Sequence, residues 1–187
     1  MKLIIQSILL TIVFTVLTGV LYPLAITGIA QVAFKDKANG SLIERDGKVV
    51  GSELLAQQFT GPKYFWPRPS AGNYATVPSG ASNLGPTSGA LQSNVVNNAK
   101  AFRDGNKLPA DAPVPADMVF TSGSGLDPHI SPDAARLQIA RVAAARGVSE
   151  DAVRPVVEKF VEQPQLGFLG EARVNVLRLN LALDQQH

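Results

Sequence analysis

The sequence contains no cysteine, which excludes disulfides, thiolate metal ligands and thiol catalysis. It contains only two histidines, His129 and His187, which excludes in practice a zinc site built from a histidine pair. The phosphate-binding pattern G-x-x-x-x-G-K-[ST] and the nucleophile pattern G-x-S-x-G are both absent. We therefore expect no metal, no directly bound cofactor and no catalytic residue in this chain.

Charge is sparse and nearly balanced. Charged residues make up 17% of the chain, with 17 Lys and Arg residues against 15 Asp and Glu residues. The basic residues form no cluster, whereas a protein that follows a phosphate backbone needs one. The sequence therefore predicts no nucleic-acid partner.

The N-terminal region has no charged residue between Lys2 and Lys35. About 20 apolar residues in a helix cross the ~30 Å hydrocarbon core of a bilayer, and this run is about half as long again. The apolar region of a secretory signal peptide has only ~7–15 residues, which favours a retained anchor. We predict one transmembrane helix from Leu3 to about Phe34, so that residues 1–35 form the membrane segment and residues 36–187 a soluble domain.

One face of this helix carries small and hydroxyl-bearing residues. They recur at steps of four and three, as Thr11, Thr15, Thr18, Tyr22 and Ala25. Such residues let membrane helices approach closely, which predicts docking against other helices, but a threonine hydroxyl can also bond to its own backbone. Pro23 removes the bond to Gly19, so we expect a bend there. The predicted docking residues are Thr11, Thr15, Thr18, Gly19, Tyr22 and Pro23.

The rest of the chain predicts a mixed α+β domain. Asp46-Gly47 predicts the turn of a β-hairpin. Residues 61–89, rich in Gly, Pro and Ser, predict an irregular segment whose aromatic residues pack on the domain or on a partner. The other predicted elements are a helix over Ser52–Phe59, a helix with its apolar stripe from Leu91 to Phe102 and its end at Gly105, a strand at Met118–Thr121, a helix from the Ser131 cap to Arg146 with Gly147 as its stop, a helix from Ser149 to about Val161, and a short strand from Arg173 followed by an Asn175-capped helix.

Two segments carry the residues whose side chains are best suited to catalysis or binding. In residues 121–133, Ser124, Asp127 and His129 could form a hydrolytic set, and Asp127 with Asp133 could hold a cation. Neighbouring loop positions rarely converge with triad geometry, so we favour a glycine turn, an Asp-Pro corner and a helix cap.

In residues 65–70, Trp66 and Arg68 are of the types enriched at interface hot spots, although Trp66 could equally lie in the core and Arg68 in solvent. The predicted partner contacts are Tyr64, Trp66, Arg68, Asp127 and His129.

These motifs resemble those of the KdpC family, the C subunits of Kdp-type potassium-transporting ATPases. The resemblance extends over nearly the whole chain, and its blocks together are highly specific although each alone is only suggestive. The blocks are Tyr22-Pro23 with Gly28, GPKYFWPRPSA at 61–71, GASNLGPTS at 80–88, TSGSGLDPHIS at 121–131 and GEARVNVLRLNLALD at 170–184.

The resemblance implies a non-catalytic accessory subunit of a high-affinity, ATP-driven potassium importer. Its partners would be the ATP-hydrolysing P-type subunit, the potassium-binding subunit and the lipid bilayer, and it would act as a catalytic chaperone that promotes ATP use by the P-type subunit. The resemblance also implies a single-pass protein of the bacterial plasma (inner) membrane, with a cytoplasmic N-terminus and an extracytoplasmic soluble domain. The charges that flank the helix leave this orientation open. The alternative, from the residues alone, is a membrane-anchored hydrolase using Ser124 and His129.

Overall fold

The computed structural model describes residues 1–185, and the chain divides into two compact units, Met1–Val50 and Gly51–His187. The predicted combination of an α+β fold with one apolar N-terminal helix is confirmed. The predicted division into a membrane segment, residues 1–35, and a soluble domain, residues 36–187, stays a prediction, because the unit boundary reflects packing and not the position of lipid.

The first unit consists mainly of one apolar helix of 32 residues, Lys2–Ala33. It is made of α1 (Lys2–Val16), a π-helical turn (Leu17–Leu21) and α2 (Tyr22–Ala33). At 1.5 Å per residue it is about 48 Å long, which exceeds the ~30 Å core of a bilayer. The π turn lies just before Pro23, where the sequence predicts a bend. A proline ring clashes with the carbonyl four residues earlier, and a widened turn relieves that clash.

A short helix α3 (Lys35–Ala38) and most of a β-hairpin complete this unit. The predicted hairpin is confirmed, with β1 at Leu42–Arg45 and β2 at Lys48–Ser52. Its turn residues Asp46 and Gly47 have φ angles of 52° and 71°. Two consecutive positive φ angles match the twist of a tight hairpin, and Asp-Gly tolerates them best.

The second unit packs four helices around a small antiparallel sheet. The strands β3 (His129–Ile130), β4 (Val161–Glu162) and β5 (Arg173–Asn175) lie in the order β3-β5-β4, with His129 opposite Asn175. The helices are α4 (Gly89–Asn106), α5 (Pro132–Arg146), α6 (Glu150–Lys159) and α7 (Val176–Asp184), and a 3₁₀ turn forms at Ala116–Met118. The fully buried side chains of the core include Phe65, Ile130, Ile139, Val142, Val153, Val157, Val174, Val176, Leu179 and Leu183.

Two helix starts follow the predicted capping chemistry. The Ser131 hydroxyl accepts a hydrogen bond from the Ala134 N–H at the start of α5, and Gly147 ends that helix with a φ of 69°. The Asn175 side chain accepts a bond from the Arg178 N–H at the start of α7. The short strand before α7 is also confirmed. These features depend on neighbours in the sequence, which is why the sequence predicts them.

Two predicted elements are wrong. Residues 52–59 do not form a helix, because β2 continues to Ser52, whose hydroxyl then accepts a bond from the Leu54 N–H and closes a turn. The predicted strand at Met118–Thr121 is instead the end of the 3₁₀ turn and the loop after it. There the Asn98 side chain on α4 donates to the Val119 carbonyl. In a paired strand, this carbonyl would instead accept from the backbone of the neighbouring strand.

Two predicted helix ends differ from the observed ones. Helix α4 runs through Gly105 to Asn106, and Lys107 takes the left-handed conformation with a φ of 56°. Gly105 is in the helix for a packing reason, since the ring of Trp66 occupies the space that a Cβ would need. Helix α6 ends at Lys159, two residues before the predicted end, because Val161 pairs with Val174 in the sheet.

Candidate functional site

The segment Tyr64–Arg68 has no regular secondary structure, yet side-chain amides hold its backbone in place. The Asn180 side chain accepts from the Phe65 N–H at 2.8 Å and donates to the Phe65 carbonyl at 3.0 Å. The Gln138 side chain accepts from the Trp66 N–H at 2.8 Å. Both amides are almost fully buried, and so is the Phe65 ring. The irregular segment predicted from residue 61 onward therefore packs on its own domain here.

Arg141 forms the centre of a second set of contacts to this segment. Its guanidinium donates to the Pro62 and Tyr64 carbonyls, at 2.6 and 2.8 Å, and to the side-chain oxygens of Asn106 and Gln138, at 2.9 and 2.6 Å. Burial lowers the pKa of Arg141 to about 10, so it still carries its charge at neutral pH. Neutral oxygens thus replace water around this cation. The same hydrogen bonds hold residues 62–66 against helix α5, which carries Arg141.

Trp66 and Tyr64, both predicted as partner contacts, also make contacts inside the domain. The Arg141 guanidinium lies 3.8 Å from the centroid of the Trp66 ring, a cation–π contact. The Trp66 Nε1 donates to the Gly61 carbonyl at 3.2 Å. The Tyr64 hydroxyl lies 3.2 Å from an Asp184 carboxylate oxygen. Both rings remain partly exposed, and their contact with a partner stays a prediction.

The other three predicted contact residues lie together although Arg68 is remote in sequence. The Arg68 Nη1 lies 2.8 Å from Asp127 Oδ2, while the His129 ring Nδ1 lies 3.2 Å from Asp127 Oδ1. The His129 N–H also donates to Asp127 Oδ1 at 3.0 Å. Burial favours the neutral carboxyl, but the hydrogen bonds from His129 and the cation of Arg68 outweigh it and lower the pKa of Asp127 to about 2.

These three residues form one wall of an open cleft of about 600 Å³. The other polar residues of this cleft were not predicted from the sequence. Ser131 lies two residues from His129, and Asp117, Glu171 and Arg173 come from two further segments. Asp117 accepts bonds from the Ser131 N–H and hydroxyl at 2.6 and 3.1 Å. The full lining is Arg68, Ala116, Asp117, Phe120, Asp127, His129, Ile130, Ser131, Glu171, Ala172 and Arg173.

The residues of the two alternatives, a Ser124–Asp127–His129 hydrolytic set and an Asp127–Asp133 cation site, have other partners. The Ser124 hydroxyl accepts from the Leu126 N–H at 3.0 Å, and within residues 1–185 no hydrogen bond joins it to His129. Asp127 pairs with Arg68, whereas Asp133 pairs with Arg136 at 3.0 Å. The described residues include no group of three side chains suited to hold a metal ion. The observed bonds correspond to the favoured interpretation, a glycine turn followed by a helix cap.

Asp127→Asn is expected to reduce the amount by which the free energy of unfolding falls in acid. Because the folded pKa of Asp127, about 2, lies below the usual 3.8, its ionised form stabilises the fold above about pH 4, and this contribution is lost as the pH falls through about 2. The side chain is 31% exposed, so screening limits the contribution to about 1–2 kcal/mol. Urea unfolding of both proteins at about pH 5 and about pH 2.5 measures it. An equal acid-induced loss in both proteins would contradict the assignment.

Two hydroxyls of the predicted docking face, those of Thr11 and Thr18, are bonded within the membrane helix itself. Ser7, Thr11 and Thr18 each donate to the carbonyl four residues earlier, at 2.9, 2.9 and 2.7 Å. The face therefore offers fewer free hydrogen-bond donors, and it borders a groove lined by Ser7, Leu10, Thr11, Phe14, Thr15 and Thr18. Along it, a Cβ at Gly19 would meet no atom within 4 Å, and Tyr22 is 63% exposed. Docking at Thr11, Thr15, Thr18, Gly19, Tyr22 and Pro23 stays a prediction.

Comparison with known proteins gives one consistent result. The model of the family described as "K+-transporting ATPase, c chain" (KdpC) matches residues 4–185. The chain is 56% identical over 170 residues to the potassium-transporting ATPase KdpC subunit of Cereibacter sphaeroides, covering 91% of this chain and 90% of that protein. It is 52% identical over 181 residues to the protein of that name from Mycobacterium tuberculosis, covering 96% of each. The matched region includes both the apolar helix and the cleft.

Proposed function

Because the chain belongs to the family of K+-transporting ATPase c chains, we propose that it is a non-catalytic accessory subunit that assembles and stabilises an ATP-driven potassium importer. In this proposal the membrane helix docks on helices of the other subunits. The soluble domain then contacts them through the cleft and the segment around Trp66.

The apolar helix is the observation that carries this proposal. Its most apolar stretch is entirely unburied by the rest of the chain. An apolar surface of this length is stable only against lipid or other membrane helices. A face of small residues supports close helix packing, which in lipid depends on shape more than on hydrophobicity.

The proposed location is the bacterial plasma membrane, with the N-terminus cytoplasmic and the soluble domain outside. A partner subunit would bind and hydrolyse ATP on the cytoplasmic side. The chaperone effect on ATP use would then be indirect. This chain would have to contact two conformations of the pump with different affinities, because only a difference in affinity shifts a conformational equilibrium.

The double variant Thr15→Leu/Gly19→Leu is expected to lower co-purification with the other subunits by about tenfold or more, since bulk at a small-residue interface prevents close approach. A Cβ at Gly19 meets no atom within 4 Å in the free chain, so the helix itself should tolerate the change. The measurement is pull-down of the tagged full-length chain from membranes that contain the other subunits, together with potassium uptake by the cells.

Val13→Phe is the matched control. Val13 is 59% exposed and stands two residues from both Thr11 and Thr15, about 160° around α1 from each, so the added bulk lies on the opposite face. This variant should assemble as the unmodified chain does. Equal assembly of all three proteins would contradict the proposed docking face.

A further inference from the structure

The loop between β4 and β5 presents three large apolar side chains to solvent. Leu166 is 83% exposed, Phe168 74% and Leu169 50%. We call these three residues the apolar tip. Single exposed apolar residues are common on protein surfaces, but a contiguous group is typical of an interaction site.

The apolar tip is held rigidly. Gln165 and Leu169 exchange two backbone hydrogen bonds, at 3.0 and 2.8 Å, and the Gly167 N–H donates to the Pro164 carbonyl at 3.0 Å. Beyond residues 163–164 and 170–172, the flanking strands pair again, with Val161 opposite Val174. A loop already ordered in this way loses little conformational entropy when it binds, so its apolar area contributes more fully to affinity.

Leu166 is an unusual residue for its position. Its φ is +54°, in the left-handed region that glycine and asparagine adopt more readily than leucine. Its side chain is nevertheless the most exposed of the three. Leucine is thus unfavourable for this backbone conformation, and its own domain does not cover the side chain. This combination indicates that another molecule covers it.

The charges around the apolar tip favour a protein over a lipid surface. Between Glu162 and Glu171 there is no Lys, Arg, Trp or Tyr, the residue types that anchor loops at a bilayer surface. Glu162 is paired with Arg173 at 3.0 Å, whereas Glu171 makes no ion pair within residues 1–185. An exposed acidic group beside the tip is repelled by anionic lipid and attracted by a basic side chain.

We propose that the apolar tip inserts into an apolar pocket on another subunit of the transporter, with Glu171 opposite a Lys or Arg at the rim of that pocket. This inference rests on the proposed function, because it requires the assembled complex, and it adds the surface and the chemistry of the partner. Glu171 and Arg173 also line the Arg68–Asp127–His129 cleft, so one partner surface could cover both the tip and the cleft.

Photo-crosslinking in the assembled complex tests the inference directly. Benzoyl-phenylalanine is introduced at Phe168 of the full-length chain, and at Val96 as a control, since Val96 is 60% exposed on α4. After illumination of membranes, position 168 is expected to crosslink to another transporter subunit at least about fivefold more than position 96, as befits a buried interface anchor. A crosslink only to lipid, only to a second copy of this chain, or to nothing would overturn the proposal.

The double variant Leu166→Asn/Phe168→Ser tests the contribution to binding. Its dissociation from the complex, measured by exchange against excess untagged chain, should be about tenfold faster, while its own unfolding temperature should not fall, because asparagine suits a positive φ and both side chains are exposed. Val96→Ser is the control. An unchanged dissociation rate would overturn the inference, yet loss of assembly in Thr15→Leu/Gly19→Leu would still support the proposed function, so the two failures are distinguishable.

Discussion

Replacing Arg141 with methionine is expected to lower the free energy of unfolding by about 3–5 kcal/mol, the range for breaking a buried polar network. Methionine has a similar length but no donor, so all four oxygens lose the guanidinium, and only the Gln138 oxygen keeps another bond described above, from the Trp66 N–H. Two of these oxygens are carbonyls of residues 62 and 64, and the cation–π contact to Trp66 is lost as well. The whole segment leading to Arg68 should loosen.

The fluorescence of Trp66 measures this effect, because it is the only tryptophan and lies against the substituted side chain. Urea or thermal unfolding of the full-length chain in detergent gives the change in stability. Arg141→Lys should lose most of the same stability, since one ammonium cannot reach four separated acceptors. The control is Arg154→Met, because Arg154 is half exposed in an i,i+4 pair worth about 0.3–0.5 kcal/mol. Equal stability of the Arg141 and Arg154 variants would contradict the role given to Arg141.

Asn180→Asp should destabilise the fold by about 3–4 kcal/mol at neutral pH, although the two side chains have nearly the same shape. Asn180 is 1% exposed, and both its donor and its acceptor are bonded to the backbone of Phe65. The substitution removes the donor and places a carboxylate beside a carbonyl oxygen. The Phe65 ring, fully buried in the core, loses part of what holds its backbone there.

The pH dependence of this variant gives a sharper test than its stability alone. Burial disfavours the ionised carboxyl, so its pKa should be raised in the folded state, and protonation restores a donor toward the Phe65 carbonyl. The destabilisation should therefore shrink as the pH falls from about 7 to about 5, whereas ordinary carboxylates act in the opposite sense. Asn97→Asp, on the exposed surface of α4, is the control and should be nearly neutral. A pH-independent loss would show that shape rather than the donor matters.

The Arg141 and Asn180 predictions bear on the candidate site as well as on stability. The cleft is formed where Arg68, at the end of the anchored segment, meets the Asp127 corner. If residues 62–66 loosen, Arg68 loses its fixed approach to Asp127, and the cleft changes shape without any substitution inside it. The variants in the core should therefore weaken assembly together with stability, whereas the variants of the apolar tip should weaken assembly alone.

The amino-acid sequence by itself determined the features that depend on neighbouring residues. The uncharged run after Lys2 defines a helix long enough to span a bilayer, Asp46-Gly47 defines a hairpin turn, and Ser131 and Asn175 define helix starts. The family was also evident from ordered blocks of residues, and the comparisons confirm it. Each of these features depends on residues that are consecutive in the sequence, or on the order in which short blocks of residues follow one another.

Only the tertiary structure decided which residues hold the site together. Arg141, Gln138 and Asn180 could not be singled out from the sequence, because their partners in residues 62–66 lie 72–115 residues away and nothing local marks a buried Arg or amide as different from an exposed one. The failed predictions, at Ser52–Phe59 and Met118–Thr121, have the same cause. Their local propensities are weak, and distant partners decided the conformation. The Leu126 carbonyl accepts from the Ala56 N–H in one case, and the Asn98 side chain donates to the Val119 carbonyl in the other.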